Sequence, residues 1–429
     1  MNFRIPRGTQ DILPEQSGKW QYIEQKIHDI CRRYNYREIR TPMFEQTELF
    51  ARGVGDTTDI VQKEMYTFTD RGGRSLTLRP ECTASVVRSY VENKMHGWAD
   101  QPVKLYYVGP MFRYERPQSG RMRQFVQFGV EVLGSDDPAI DAEVIALAMN
   151  FYQELGLKNL KLVLNSLGDK ESRTKHREAL VNHFEPRISE FCSDCQERLR
   201  KNPLRILDCK KDRDHELMAS APAILDYLSE ESKNYFETVK EYLQAIGISF
   251  VVDPTLVRGL DYYNNTAFEI MIDGEGFGAI TTLSGGGRYN GLTEEVGGPA
   301  SPGIGFALSI ERLLLALETQ GAVLPTADSL DAYLIAVGEE PKKIAPKIVH
   351  DLRSAGLRVD TDYMNKKMKG QMKAADRQHA AFALILGEEE AASGTITLKS
   401  LATGEQTAVP IEALTTTVME KLLEAKKGE

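Results

Sequence analysis

Apolar residues recur at three- and four-residue spacings between residues 19 and 34, at Trp20, Ile23, Ile27, Ile30 and Tyr34. That period predicts an amphipathic helix. A short strand, Glu38-Ile39-Arg40, follows, and Pro42 ends it. Val103 to Val108 and Phe125 to Val132 read as two further strands, the first punctuated by Gly109-Pro110. The polar loop Glu115 to Arg123 separates them, which predicts an antiparallel hairpin. Asp137 is the expected N-cap of a helix opening at Pro138. Ile140, Val144, Leu147 and Phe151 form its apolar face, and Gly156 stops it.

From about 168 to 235 strands vanish and charge rises, which reads as a mostly helical insertion. Strands return from about 248 to 283, and a helix follows from Ser309 to Thr319. Gly321, Pro325 and Asp328 mark a linker over 321–330. Beyond it the pattern alternates: strand Asp331–Val337, helix Pro341–Ala355, strand Leu357–Asp360, basic helix Lys366–His379, strand Phe382–Leu386, and a helix from about Ile411. Such alternation predicts a small α/β domain with a partly parallel sheet. The expected organisation is a discontinuous core (1–167 and 236–320), the insertion (168–235), the linker, and the α/β domain (331–429).

At 429 residues the chain is too long for one core. Its 41% hydrophobic and 27% charged residues are ordinary for a globular protein. No stretch is apolar enough to cross a bilayer, and Met1 to Gly8 lacks the apolar run of a signal peptide. A cytoplasmic protein with no membrane partner is therefore expected. A net charge of −9 argues against non-specific coating of nucleic acid, though local basic patches remain compatible with a nucleic-acid partner.

The chemistry concentrates in four places. Leu256-Val257-Arg258-Gly259-Leu260-Asp261-Tyr262-Tyr263 precedes an apolar strand and the turn-like Ser284-Gly285-Gly286-Gly287-Arg288-Tyr289. Arginine forks onto carboxylate or phosphate, tyrosine offers a ring face and a hydroxyl, and glycine admits a ligand to the backbone. The set suits a small polar substrate with a ring and an anionic end; an ordinary core strand and turn would use the same residues. Arg113, Glu115, Arg116, Arg121, Arg123 and Phe125 flank the hairpin loop. A polyphosphate needs such cations, and Phe125 can stack on a purine; a solvated charged loop is the alternative. Arg79-Pro80-Glu81-Cys82-Thr83 opens a helical run, where Glu81 and Thr83 suit an ammonium group or Thr83 caps the helix. Gly303 to Arg312 runs from a glycine strand into a helix, with Arg312 one turn in. No P-loop occurs, and Gly274-Glu275-Gly276-Phe277-Gly278 lacks the following helix of a dinucleotide fingerprint.

In this order the motifs resemble the histidyl-tRNA synthetases of bacterial type, which are class II aminoacyl-tRNA synthetases. Ile5-Pro6-Arg7-Gly8-Thr9-Gln10-Asp11 resembles the family's opening. The helix and strand ending at Pro42 resemble motif 1, a dimer element. Phe112-Arg113-Tyr114-Glu115 through Phe125 resembles motif 2, and Gly303 to Arg312 motif 3. Leu256–Tyr263 and Gly286–Tyr289 resemble the two signatures peculiar to the histidine enzymes. The resemblance implies an α+β catalytic core built on an antiparallel sheet, and ATP-dependent attachment of L-histidine to tRNA(His) by a homodimer using Mg²⁺. It implies catalytic roles for Arg113 and Arg258. Histidine is expected at Glu81, Cys82, Thr83, Gln127, Glu131, Arg258, Tyr262, Tyr263 and Tyr289, with Glu131 and Tyr263 on the imidazole. ATP is expected at Arg113, Glu115, Arg121, Phe125 and Arg312. Cys82 stands where the family usually has Gly; close to the amino-group pocket, its side chain either crowds that pocket or points away, and the intact Glu81 and Thr83 favour the second. The final domain resembles the class II anticodon-binding module, with Lys366, Lys367, Lys369, Lys373 and Arg377 as its basic face. A non-catalytic regulatory subunit of ATP phosphoribosyltransferase resembles the same core. Such paralogues lack the final domain or the catalytic arginine, both of which this chain retains.

Cys192, Cys195, Cys209 and His215 fall in the insertion and suggest Zn²⁺. The spacing between the two halves matches no zinc finger, which argues against the metal.

Overall fold

A computed structural model describes residues 3–55, 58–272, 282–325 and 329–427. Two compact units divide the chain, Met1–Leu324 and Pro325–Glu429. Residues 273–281 of the expected 248–283 strand region, Gly274–Gly278 among them, and part of the expected linker lie outside the described residues.

The first unit is built on an eight-stranded sheet. Its order is Arg37–Glu38, Val103–Phe112, Gln124–Leu133, Gly303–Ser309, Thr282–Arg288, Asn264–Ile272, Leu160–Ser166, Phe250–Val252. The six inner strands pair antiparallel and the two edges parallel. Side chains alternate across a sheet, and here the alternation separates core from site. On Gln124–Leu133 the even positions Phe128, Val130 and Val132 enter the main core under the helices Pro14–Arg33, Pro138–Glu154 and Glu230–Ala245. The odd positions Phe125, Gln127, Gly129 and Glu131 lie on the opposite face. On Gly303–Ser309, Ile304, Phe306 and Leu308 go to the core, while Gly303, Gly305 and Ala307 leave the other face open.

The Val103–Phe112 strand continues through Gly109-Pro110, which the sequence reading took as its end. Pro110 pairs with Val126, and its carbonyl accepts the Arg79 Nε at 2.9 Å. Ser284–Gly287, expected as a turn, lies in a central strand. The glycines are needed there because a Cβ at Gly286 would strike the Gly305 carbonyl and Phe268.

The insertion holds helices Lys170–Phe184 and Ser193–Lys201 joined by short 3₁₀ turns. Its own small core contains Leu180, Phe184, Phe191, Leu199 and Ile206. The Glu230–Ala245 helix runs across the boundary drawn at residue 235. Ser229 caps it, and Phe236, Val239 and Leu243 pack in the main core.

The second unit carries a five-stranded sheet in the order Val359–Thr361, Ala332–Ala336, Phe382–Leu386, Thr395–Ser400, Gln406–Pro410. The first three strands are parallel. The last two form an antiparallel hairpin that the sequence reading did not anticipate.

Candidate active site

A cavity of about 360 Å³ opens on the site face of the large sheet, within the range of small-molecule sites. A larger cleft, about 570 Å³, is lined by insertion and core residues. It lacks the motif residues, and its Asp169 is already engaged by Ser172 and Ser229.

One end of the cavity meets the N-terminus of the helix Thr83–Glu92. The Glu81 carboxylate accepts the N–H groups of Thr83 (2.8 Å) and Ala84 (2.9 Å). Glu81, and not the Thr83 hydroxyl, therefore satisfies the free helix donors. Each carboxylate oxygen has acceptor capacity to spare. Burial pushes the Glu81 pKa up. Gln127, which lines the same cavity, has a buried Oε1 with no hydrogen-bond partner among the described residues.

The Thr83 hydroxyl donates to Glu131 at 2.7 Å, and the Tyr289 hydroxyl donates to its other oxygen at 2.6 Å. Burial pushes the Glu131 carboxyl up to about 8. Gly305 and Gly303 make room for this pair: a Cβ at Gly305 would overlap the Glu131 carboxylate, and one at Gly303 the Tyr289 ring.

Three expected contacts do not border the cavity. Glu131 and Tyr289 lie behind Thr83, held by the hydroxyls just described. Cys82 is 1% exposed, and its thiol faces Thr41 at 3.4 Å, away from the cavity. The bend into the helix turns Glu81 and Thr83 inward and Cys82 into the core.

Arg258 closes the opposite wall. Its guanidinium pairs with Glu269 at 2.5 Å and lies 5.4 Å from the Tyr263 ring centroid. Burial opposes its charge, and Glu269 restores it, leaving the pKa raised. Its Nε is buried without a hydrogen-bond partner among the described residues. Tyr262 and Tyr263 stack obliquely with centroids 4.6 Å apart. Sequence reasoning missed Glu269. The signal was a lone carboxylate in the apolar run Ala267-Phe268-Glu269-Ile270.

The rim is cationic. Arg113 donates to the Pro80 carbonyl at 2.7 Å and lies 5.4 Å from the Phe125 ring. Arg121 pairs with Glu115 at 3.3 Å. Arg312 reaches the Gly120 and Thr282 carbonyls at 3.2 and 3.1 Å. Burial, with Arg121 beside it, pulls the Arg312 pKa down. Four arginines thus share one cavity with three carboxylates, Glu81, Glu115 and Glu269. The surplus of cations suits a polyanion. Arg288 has a different part: it is fully buried and pairs with Asp141 at 2.6 Å beneath the sheet.

In the insertion, Cys192, Cys195 and Cys209 converge, but His215 does not join them. Its ring stacks on Phe191 at 4.2 Å and contacts Glu190 at 3.2 Å.

An antiparallel sheet, a motif 2 hairpin bearing Arg113 and Phe125, and a glycine strand leading to Arg312 define the catalytic body of a class II aminoacyl-tRNA synthetase. The histidyl-tRNA synthetase family model matches residues 8–313, and the anticodon binding domain matches residues 331–421. A histidine–tRNA ligase from Halalkalibacterium halodurans is 70% identical over 414 residues, 96% of this chain and 97% of its own. One from Anoxybacillus flavithermus is 70% identical over 411 residues, with the same coverage. The crystal structure of apo S. aureus histidyl-tRNA synthetase superposes with a TM-score of 0.85 at 52% identity, covering 97% of this chain and all of that one. The chain belongs to the histidyl-tRNA synthetase family.

Proposed function

We infer that this chain is a ligase that uses ATP to attach L-histidine to its cognate tRNA. One observation carries the reading: a single cavity brings Arg113, Arg121, Arg258 and Arg312 together with Glu81, Thr83 and Gln127. The first set suits a triphosphate and a carboxylate. The second suits an α-ammonium.

The histidine carboxylate is ionised at neutral pH and needs no base. It attacks the α-phosphorus in line; the new O–P bond forms as the bond to pyrophosphate breaks. Arg113 and Arg258 hold the reacting groups and balance the developing charge. Phe125 stacks on adenine, with Glu115, Arg121 and Arg312 at the rest of ATP. Glu81, Thr83 and Gln127 take the ammonium, and Tyr262 and Tyr263 wall the ring. Glu131 and Tyr289 are assigned as positioning residues that fix Thr83. When bound with ATP, Mg²⁺ would neutralise phosphate charge at Glu115 or Glu269, a carboxylate supply typical for this ion. In the second step a terminal ribose hydroxyl of the tRNA attacks the adenylate carbonyl and AMP leaves.

The tRNA partner is supported by the second unit. Lys366, Lys367, Lys369, Lys373 and Arg377 are all exposed on or beside the helix Met368–Arg377. Tyr363 (70% exposed) and Met364 (76%) precede it. Cations with an exposed ring suit a single-stranded loop with splayed bases. A homodimer is supported by an apolar patch at Met43, Phe44 and Phe68 near the motif 1 segment. Among the described residues no helix is long and apolar enough to cross a membrane. Together with five unpaired cysteines, that supports a cytoplasmic location. The regulatory reading is disfavoured by the arginine-lined cavity and the C-terminal module.

The test is ATP–pyrophosphate exchange with each amino acid in turn, without tRNA. Exchange with histidine alone is expected. No exchange from folded protein with Mg²⁺ present would refute the reading.

A further inference from the structure

We propose that Cys192, Cys195, Cys209 and Asp212 form a structural zinc site in the insertion. Their ligand atoms all lie within 4.8 Å of one another. Three of the chain's five cysteines meet there.

Two of the ligand–ligand distances already match the ion, and the rest lie within 4.8 Å. Tetrahedral zinc with Zn–S of about 2.3 Å and Zn–O of about 2.0 Å sets S···S near about 3.8 Å and S···O near about 3.5 Å. Cys192 Sγ and Cys209 Sγ are 3.8 Å apart, and Cys209 Sγ lies 3.5 Å from Asp212 Oδ2. The Asp212 carboxylate is also oriented by the Cys192 backbone N–H, at 3.1 and 3.2 Å to its two oxygens. Such outer contacts commonly fix a ligand's direction.

The sequence carries the matching signal once His215 is set aside. Cys192-x-x-Cys195 and Cys209-x-x-Asp212 have the same internal spacing. Two such pairs are the general form of a four-ligand zinc site, here with Asp in the place of the fourth Cys and a shorter separation between the pairs.

The site also answers a stability problem. Cys192 begins the helix Ser193–Lys201 and Cys195 lies in its first turn, while Cys209 and Asp212 belong to a loop without regular structure. The insertion's core is small, and small modules commonly need a metal or disulfide staple. A clip here would hold the segment carrying Arg205. That residue donates to the Gly259 carbonyl at 2.6 Å and to Asp261 at 3.2 Å, beside Arg258. The zinc would therefore steady the wall of the catalytic cavity without entering it.

The test uses the full chain purified without chelator or an immobilised-metal column, with metal content measured by mass spectrometry. About one zinc per chain is expected, as for a single structural site. Cys195→Ser and Asp212→Asn should lose it, and Cys31→Ser should keep it. Because Cys195→Ser can misfold, cobalt is also exchanged into the unmodified protein, where tetrahedral thiolate absorption is expected. Rapid alkylation of all three thiols in native protein that takes up neither zinc nor cobalt would overturn the proposal. So would a Cys192–Cys209 disulfide in protein alkylated without reductant.

Discussion

Gly285 lies directly against the guanidinium of Arg258, so close that a Cβ there would overlap it. The conformational freedom of glycine is not what this position uses. The missing side chain lets a buried arginine lie flat on the sheet, between Glu269 and the Tyr263 ring.

Gly285→Ala should therefore displace Arg258 while leaving the strand paired. Loss of one preorganised charge contact commonly lowers kcat by about 10²–10³-fold, and a loss of that order is expected in ATP–pyrophosphate exchange. Arg258→Lys should lose a similar amount, since it keeps the charge but not the fork. Near-normal exchange in both variants would remove Arg258 from the mechanism.

Glu131 predicts a pH dependence of stability. Its native carboxyl keeps a proton up to about pH 8, against an ordinary value of 4.5, because burial opposes the charge. Across that window the native state binds more protons than the unfolded state, so this group's contribution to stability falls as pH rises. Glu131→Gln should gain on the parent with rising pH, by up to about 4 kcal/mol at pH 8, and match it near pH 4.5. Thermal melts of both proteins across this range check the difference. A gap that does not change with pH would contradict the assignment.

Arg205 ties the insertion to the loop carrying Arg258, Tyr262 and Tyr263. Arg205→Ala should loosen that loop and raise the KM for histidine by about tenfold, a modest share of what precise orientation can supply. The KM for ATP, held mainly by the hairpin, should change less. Equal changes in both constants would point to a general loss of folding.

Cys82 should resist alkylation in the native protein. Burial pushes its thiol up to about 12, so little thiolate exists at pH 8. Iodoacetamide mapping by mass spectrometry should find it unmodified, with or without histidine. Rapid modification slowed by histidine would restore the view that it borders the pocket.

The motif 2 hairpin, the helix opening at Pro138 and the alternating C-terminal unit were legible because period and turn residues are local signals. Asp137 caps its helix as the sequence indicates, accepting the Ala139 N–H at 2.9 Å. The C-terminal hairpin Thr395–Pro410 escaped because Ala, Lys, Glu and Gln dilute its strand signal. The Ser284–Gly287 strand escaped because glycine usually marks turns. Here it answers to atoms on neighbouring strands that no local window contains.

The same division runs through the site. Sequence alone determined which residue types were present and in what order: the arginines, the paired tyrosines, the Glu81-Cys82-Thr83 triplet and the Cys-x-x-Cys. Tertiary structure alone decided that Glu81 turns toward the cavity and Cys82 into the core, that Glu131 lies behind Thr83, that Glu269 pairs with Arg258, and that Asp212, not His215, joins the cysteines. These are contacts between side chains distant in sequence or on opposite sides of a bend. Their partners are set by sheet register and by burial, which a linear pattern does not carry.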